Sequence, residues 1–419
     1  MMSSHGHGAC PVNASFDPLA RAFLGDPFAV LASLPGDTPI FYAPSIDYYV
    51  VTRYADIKSV FLDTETYSAA LTQLPLVQLV PDAAQMLLGS GHKPQPSMVS
   101  IDPPAHTRLR SPTARAFTPG RVAQMEPTIR CTIDQLLNDI GPSSPFDLVS
   151  RLTFPLPATI IFSFLGIPER DWPQLKEWCG HRAVLGFGSP KPEEQVQRAT
   201  KVAAYRRYLA TFVASKAIVR DDDFTSALLA IHDENPNALT HEEISSIVYG
   251  LTFAGHETTN CLIGNLVYRL LEKPERWDAV VADPELIPNA IDETLRYDPP
   301  VTAWRRLTKR PVTLGGVDLP EGAKLFLWLA ASGRDASVFP APESFNLNRS
   351  DTSKSLAFGL GIHYCLGAAL GKLEAHLALE ALTSRFPGLR LVGGQELSFL
   401  PNISFRGPQS LWVEVPEDS

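Results

Sequence analysis

Apolar positions recur at helical spacing over most of the chain, and alternating runs are confined to a few short stretches. Ile40–Tyr42 and Tyr48–Thr52 flank a Pro-Ser turn and read as a β-hairpin, followed by a short helix over Tyr54–Leu62. From Leu71 to Val99 prolines interrupt large apolar residues that show no clear period, which predicts a functional loop rather than a linker. Helical patterns run from Asp102 to about Leu165, broken at Pro119-Gly120 and at Gly141-Pro142. A further break at Gly186–Pro192 precedes a helix over about Glu193–Arg220. The best-marked helix start is Thr240, which makes a capping box with Glu243, while Leu239 and Ile244 supply a hydrophobic staple. That helix can run to Lys273, about 50 Å, before Pro274 stops it. Pro288–Tyr297 reads as helix, residues 301 to 331 turn to β character, and Leu314-Gly315-Gly316-Val317 signals a hairpin. Ala368–Arg385 is helical again, and the tail from Leu389 alternates like short strands. No repeat or low-complexity linker divides the chain. Residues 16–419 therefore read as one mainly α domain with a small β portion, and residues 1–15 as a polar, disordered leader.

Composition narrows the function. The chain has 419 residues, 45% hydrophobic, enough for a large core, and its net charge of −9 argues against a nucleic-acid partner. Five scattered cysteines without a CxxC pair exclude a zinc cluster or disulfide framework and suit a reducing cytoplasm. No basic, apolar leader opens the sequence, and the most apolar stretch, Leu152–Pro168, is broken by Pro155 and Pro157. Neither a signal peptide nor a membrane span is expected.

Candidate chemistry centres on Phe358-Gly359-Leu360-Gly361-Ile362-His363-Tyr364-Cys365-Leu366-Gly367. Gly359 and Gly361 permit a sharp turn beneath a flat ligand, and the start of the next helix favours a thiolate at Cys365. Cysteine thiolate is one of the few axial ligands of haem iron, while an incidental buried cysteine is the rival reading. Ala254-Gly255-His256-Glu257-Thr258-Thr259 lies in the middle of the long helix. Its Gly costs about 1 kcal/mol relative to Ala, so a flat ligand against the helix or a packing notch should repay it. Thr258 can bond a carbonyl one turn back, and a carboxylate beside a hydroxyl suits a proton relay. His256-Glu257 begins a zinc HExxH motif, but Asn260 stands where the second His must be, so that reading fails. Glu293 and Arg296 form an i, i+3 acid–base pair, weak evidence alone. His106 and Arg110, after Pro103-Pro104, share a helix face suited to a carboxylate. No GxSxG, P-loop or dinucleotide fingerprint is present.

Together these motifs resemble the cytochrome P-450 superfamily over nearly the whole chain. The haem loop is matched at Phe358, Gly359, Gly361, His363, Cys365 and Gly367, the oxygen-binding helix from Ala254 to Thr258, ExxR at Glu293 and Arg296, and HxxxR at His106 and Arg110. Leu370-Gly371 departs from the Leu-Ala usual in bacterial members, a change expected to affect packing rather than chemistry. The resemblance implies the family fold, with haem b between the long helix and the cysteine loop. It implies that Cys365 is the iron ligand, and that His106, Arg110, His363 and Arg306, in preference to Arg305, bind the haem propionates. Ala254, Gly255, Phe358 and Gly359 would contact the haem, Glu257 and Thr258 deliver protons, and Glu293 and Arg296 act structurally.

The implied activity is a monooxygenase inserting one atom of O2 into a small, mostly hydrophobic or aromatic substrate, by hydroxylation or O-dealkylation. Its pocket is expected to include Leu251, Phe253, Thr302, Trp304 and Leu400, with walls from Leu71–Val99, Gly186–Pro192, Val301–Trp304 and Phe399–Ile403. Electrons would come from a ferredoxin or a fused or separate reductase, docking near Cys365 on Arg108, Arg115 and Lys372. Phe405-Arg406-Gly407-Pro408 resembles the reductase-fused members. A monomer is expected. The alternatives are an H2O2-driven peroxygenase, which the intact Glu257-Thr258 pair disfavours, and a non-catalytic haem sensor.

Overall fold

The computed structural model describes residues 10–35, 38–89, 97–138, 140 and 145–416. Most are helical. The helices that frame the site are α1 (Pro81–Leu88), α2 (Ala105–Ala116), α3 (Pro155–Phe164), α4 (Trp172–Phe187), α5 (Pro192–Ile218), α6 (His241–Leu271), α7 (Ile287–Tyr297) and α8 (Ala368–Arg385). The expected break at Gly141-Pro142 lies outside the described residues.

The long helix α6 starts as its sequence dictates. Thr240 Oγ1 accepts the Glu243 N–H at 3.2 Å, and Glu243 Oε2 accepts the Thr240 N–H at 2.9 Å. Its second half is buried almost residue for residue, from Thr259 to Leu271, because α3, α5, α7 and α8 all pack on it. A helix wrapped on all sides carries no polar stripe to show which face meets a ligand.

The strands are β1 (Ile40–Ala43), β2 (Tyr48–Val51), β3 (Tyr67–Ser68), β4 (Trp304–Thr308), β5 (Val312–Leu314), β6 (Val317–Leu319) and β7 (Lys324–Leu327). Five of them form a sheet in the order β1-β2-β7-β4-β3, with β2 and β7 parallel and the other pairs antiparallel. The β5–β6 hairpin turns at Gly315 and Gly316, whose φ values of 56° and 83° match the turn expected there. Among the described tail residues only Arg390–Leu391 and Trp412–Glu414 are strands; they pair with each other, and Phe146–Asp147 pairs with the other edge of Trp412–Glu414.

Two expectations need correction. Residues 1–9 lie outside the described residues, but residues 11–13 of the expected leader extend the edge of the sheet. The Tyr42 N–H donates to the Pro11 carbonyl at 2.8 Å and the Asn13 N–H to the Tyr42 carbonyl at 2.9 Å. Open main-chain groups on an edge strand recruit this segment whatever its side chains. Within the expected 71–99 loop, α1 begins at Pro81 and buries Ala83 against α5, while the Gln195 amide oxygen takes the Val80 N–H at 2.8 Å. Its packing partner lies over a hundred residues away, so local periodicity is silent about it.

Candidate active site

The cysteine loop is built by main-chain geometry. Gly359 and Gly361 have φ of 69° and 71°, and a Cβ on Gly361 would lie 3.0 Å from the Phe61 carbonyl oxygen. The Cys365 N–H donates to the Phe358 carbonyl at 2.9 Å, closing the loop, and the Arg110 guanidinium donates to the Tyr364 carbonyl at 2.6 Å. Cys365 faces a large cavity beneath α6. Its thiol is not depressed as its position before a helix suggests. Burial pushes its pKa up, opposed by the Gly367 N–H and the Arg110 charge. The helix begins only at Ala368, three residues on, so few free N–H groups reach the sulfur.

Beside the thiol stand four basic groups. His106 and His363 have ring centroids 4.3 Å apart, and both ring nitrogens of His106 are buried without a hydrogen-bond partner. His363 is held down to about 3 by burial and by the neighbouring Arg306, His106 and Arg110. Arg306 is buried, lowered to about 10 by desolvation, and its guanidinium donates, among the described residues, to the Thr72 hydroxyl and the Arg305 carbonyl. Arg110 and Arg306 both line the cavity. Orphaned donors and buried cations without a paired carboxylate call for an anionic, acceptor-rich partner. A flat macrocycle carrying two carboxylates and a thiolate-binding iron fits this set.

Strand alternation separates the two arginines on β4. Arg305 points away from the cavity and donates to the carbonyls of Leu74 at 2.8 Å and Thr72 at 2.9 Å, fixing the segment before α1.

Opposite the thiol, α6 presents Leu251, Phe253, Ala254, Gly255, Thr258, Thr259 and Leu262 to the cavity. Thr258 Oγ1 donates to the Ala254 carbonyl at 2.7 Å, the back-bond expected from the sequence. Gly255 answers both readings, because it borders the cavity while a Cβ on it would stand 2.6 Å from Ile161 of α3. Glu257 does not line the cavity. It is buried on another side of α6, where desolvation raises its pKa to about 7. His256 is likewise turned away, against Phe154, and lowered to about 3 by burial. Asn260, the residue that defeats the zinc motif, accepts the Thr153 hydroxyl at 2.8 Å.

The upper wall is aromatic. Phe187, Phe253, Trp304 and Phe405 lie within 6.5 Å of one another in most pairs, with Phe187 and Phe253 parallel and Phe405 edge-on to both. Two expected contacts are absent from this wall. Thr302 bonds the Ser404 carbonyl through both its N–H and its hydroxyl, and so faces the strand–tail junction. Leu400 is displaced because the tail presents Phe405 instead. Among the described residues, which leave out 90–96, Phe187 alone of the Gly186–Pro192 break reaches the cavity, and of the 71–99 segment Gln73, Ser97, Met98 and Val99 do. Phe358 and Gly359 line the floor.

Behind the floor, Glu293 and Arg296 are fully buried with a two-point contact at 2.7 and 2.8 Å. Arg349 completes the cluster at 3.0 Å from Glu293 Oε2, and Arg296 also donates to the carbonyls of Gly333, Pro342 and Ser344. Sequence spacing could not reveal Arg349, which arrives from a turn 56 residues from Glu293.

Among the described residues no helix is long and apolar enough to cross a membrane. The family model described as Cytochrome P-450 matches residues 21–389. Cytochrome P-450 107B1 of Saccharopolyspora erythraea is 37% identical over 373 residues, covering 88% of this chain and 89% of the relative. The vitamin D(3) 25-hydroxylase of Pseudonocardia autotrophica is 35% identical, covering 93% of this chain and 94% of its own. Among solved structures, cytochrome P-450 CREJ in complex with (4-ethylphenyl) dihydrogen phosphate matches with a TM-score of 0.90 and 34% identity, covering 99% of this chain and all of that one. An intact type IV self-sufficient cytochrome P-450 monooxygenase matches with a TM-score of 0.92 and 34% identity over 98% of this chain. The chain spans about half of that protein, 55% of its length.

Proposed function

The chain belongs to the cytochrome P-450 family and is a haem-thiolate monooxygenase, and from this premise we propose that it oxidises a small, uncharged aromatic substrate. The observation that carries the proposal is the wall of Phe187, Phe253, Trp304 and Phe405, which offers ring faces and edges to a ring of similar size. CREJ, solved with an aryl phosphate, supports a single-ring substrate. The polar lining apart from the cofactor groups is Gln73, Ser97, Ser246, Thr258 and Thr259 with one carboxyl at Glu374, while Arg110 and Arg306 are reserved for carboxylates of the cofactor. A phenol or aryl ether therefore suits the cavity better than its phosphate ester.

Haem, when bound, supplies the iron that activates O2 and splits the O–O bond. In this reading Cys365 would hold the iron as a thiolate. His106, Arg110, Arg306 and His363 would hold the carboxylates. Thr258 keeps a hydroxyl proton at the α6 side of the cavity, oriented by the Ala254 carbonyl. Glu257, which burial raises to about 7, can hold or release a proton near neutral pH. The apolar walls exclude water. Electrons arrive from an iron–sulfur protein or from a reductase, separate or joined to the chain.

The test is optical. Alkylphenols and methoxybenzenes should shift the haem absorption of the holoenzyme on binding, and (4-ethylphenyl) dihydrogen phosphate should do so more weakly. Phe405→Ala should weaken phenol binding by about tenfold, roughly 1.4 kcal/mol. Tighter binding of the phosphate ester, or no response to any aromatic, would sink the substrate assignment.

A further inference from the structure

Arg305 is a buried cation without a counter-charge. It is 1% exposed, no carboxylate pairs with it among the described residues, and its Nε is buried without a partner. An apolar side chain of comparable length would serve packing at lower cost than an unpaired charge. What the guanidinium holds is main chain from two separate segments. It donates to the carbonyls of Thr72 at 2.9 Å and Leu74 at 2.8 Å and approaches that of Gly186 at 3.5 Å. It also lies 5.3 Å from the centre of the Phe187 ring, at the end of α4.

The first two of these carbonyls flank a single residue, Gln73. Residues 71–74 form a turn, closed by the N–H groups of Thr72 and Leu74 on the carbonyls of Ala69 and Leu71, at 2.9 and 3.2 Å. Its side chains are placed against hydrophobic preference. Leu74 is 53% exposed, whereas Gln73 lines the largely apolar cavity, and among the described residues its carboxamide makes no hydrogen bond. An exposed leucine is ordinary, but a polar side chain turned inward beside it is not. A slip of one residue would bury the leucine and free the amide. The grip of Arg305 on both flanking carbonyls opposes that slip.

We infer that Gln73 anchors the oxygen of the aromatic substrate and that Arg305, from outside the cavity, is the positioning residue that presents it. A carboxamide is neutral and both donates and accepts, so it matches a phenolic hydroxyl, which does the same. A group placed to bond a hydroxyl discriminates against the analogue that lacks one. Because Arg305 grips the turn of Gln73 and the end of α4 together, the polar anchor and the Phe187 ring keep a fixed spacing. A ring bound between them has one preferred orientation. The inference deepens the aromatic reading and rests on it.

Paired titrations of the holoenzyme test it, following the haem absorption with 4-ethylphenol and with ethylbenzene, which differ only in the hydroxyl. Gln73→Leu should lower the preference for the phenol over the hydrocarbon about fivefold, the effect of one neutral hydrogen bond. Arg305→Met, which removes the clamp without changing Gln73, should lower the same preference although it touches no ligand. A purely structural arginine would weaken both ligands alike and leave their ratio unchanged, and that result would end the positioning role. A preference untouched by Gln73→Leu would place the oxygen elsewhere and overturn the anchor while leaving the aromatic reading intact. This arm is decisive even should Arg305→Met fail to fold. A wild-type absorption indifferent to both ligands would end the aromatic reading and the anchor with it.

Discussion

Glu257 and Thr258 are neighbours in sequence and face different surroundings, and the difference sets what each can do. Thr258 meets the cavity with its hydroxyl already bonded to Ala254, so Thr258→Ala removes a positioned proton without disturbing packing. Consumption of reductant should continue while product per electron falls several-fold, read from paired reductant and product assays; unchanged coupling would end its assigned role. Glu257 is buried, and its folded pKa of about 7 lies above the ordinary 4.5. The native protein therefore binds a proton that the unfolded chain has released across that window. Stability from this group is full below about pH 4.5 and is lost as pH rises through 7, by about 3 kcal/mol in all. Urea midpoints at about pH 5 and about pH 8 should differ less in Glu257→Gln than in wild type. At this scale the sequence names the residues but not their directions. The pair Arg305 and Arg306 shows why: either could bind a carboxylate by chemistry, and only the alternation of a placed strand turns Arg306 to the cavity.

At the scale of elements, local signals are reliable where the cause is local. The capping box at Thr240, the proline stop at Pro274 and the glycine hairpin at Gly315-Gly316 appear where their chemistry puts them. What fails is whatever depends on a distant partner. Helix α1 owes its place to α5, the Pro11–Asn13 segment to the sheet edge, and Arg349 to Glu293. Gly255 is intermediate: its presence is a visible anomaly in a helix, but its neighbour Ile161 on α3 is not. Gly255→Ala gains about 1 kcal/mol of helix propensity and meets Ile161 at 2.6 Å, an overpacking cost of about 1–3 kcal/mol. The variant should be less stable than wild type by up to about 2 kcal/mol. In an Ile161→Ala background the same change should become stabilising. Equal effects in both backgrounds, from a urea double-mutant cycle, would show that the helices do not touch there.

Across the whole molecule, the family fold was legible because four motifs keep their order over some 260 residues, from His106 to Cys365. The substrate wall was less so, since Phe187 and Phe405 come from chain regions far apart and meet only after folding. The docking of an electron donor is likewise a property of the assembled surface. Of the three basic residues expected to receive it, Arg108 is tied to Glu243 and Lys372 to Asp292 at 2.5 Å, so their charges are largely compensated. Arg115 remains exposed at the last turn of α2, on the helix whose Arg110 holds the cysteine loop. In that loop Ile362 and Tyr364 also expose apolar surface. A partner of complementary form would carry a ring of carboxylates around a small apolar centre. Rim charges act mainly on the rate of encounter and are screened by salt. Arg115→Glu should therefore slow reduction by an acidic ferredoxin about tenfold at low ionic strength and much less at high salt. Ile362→Ser should instead weaken the complex at every ionic strength. Stopped-flow reduction across a salt series separates the two, and a rate indifferent to both substitutions would move the electron entry point away from this face.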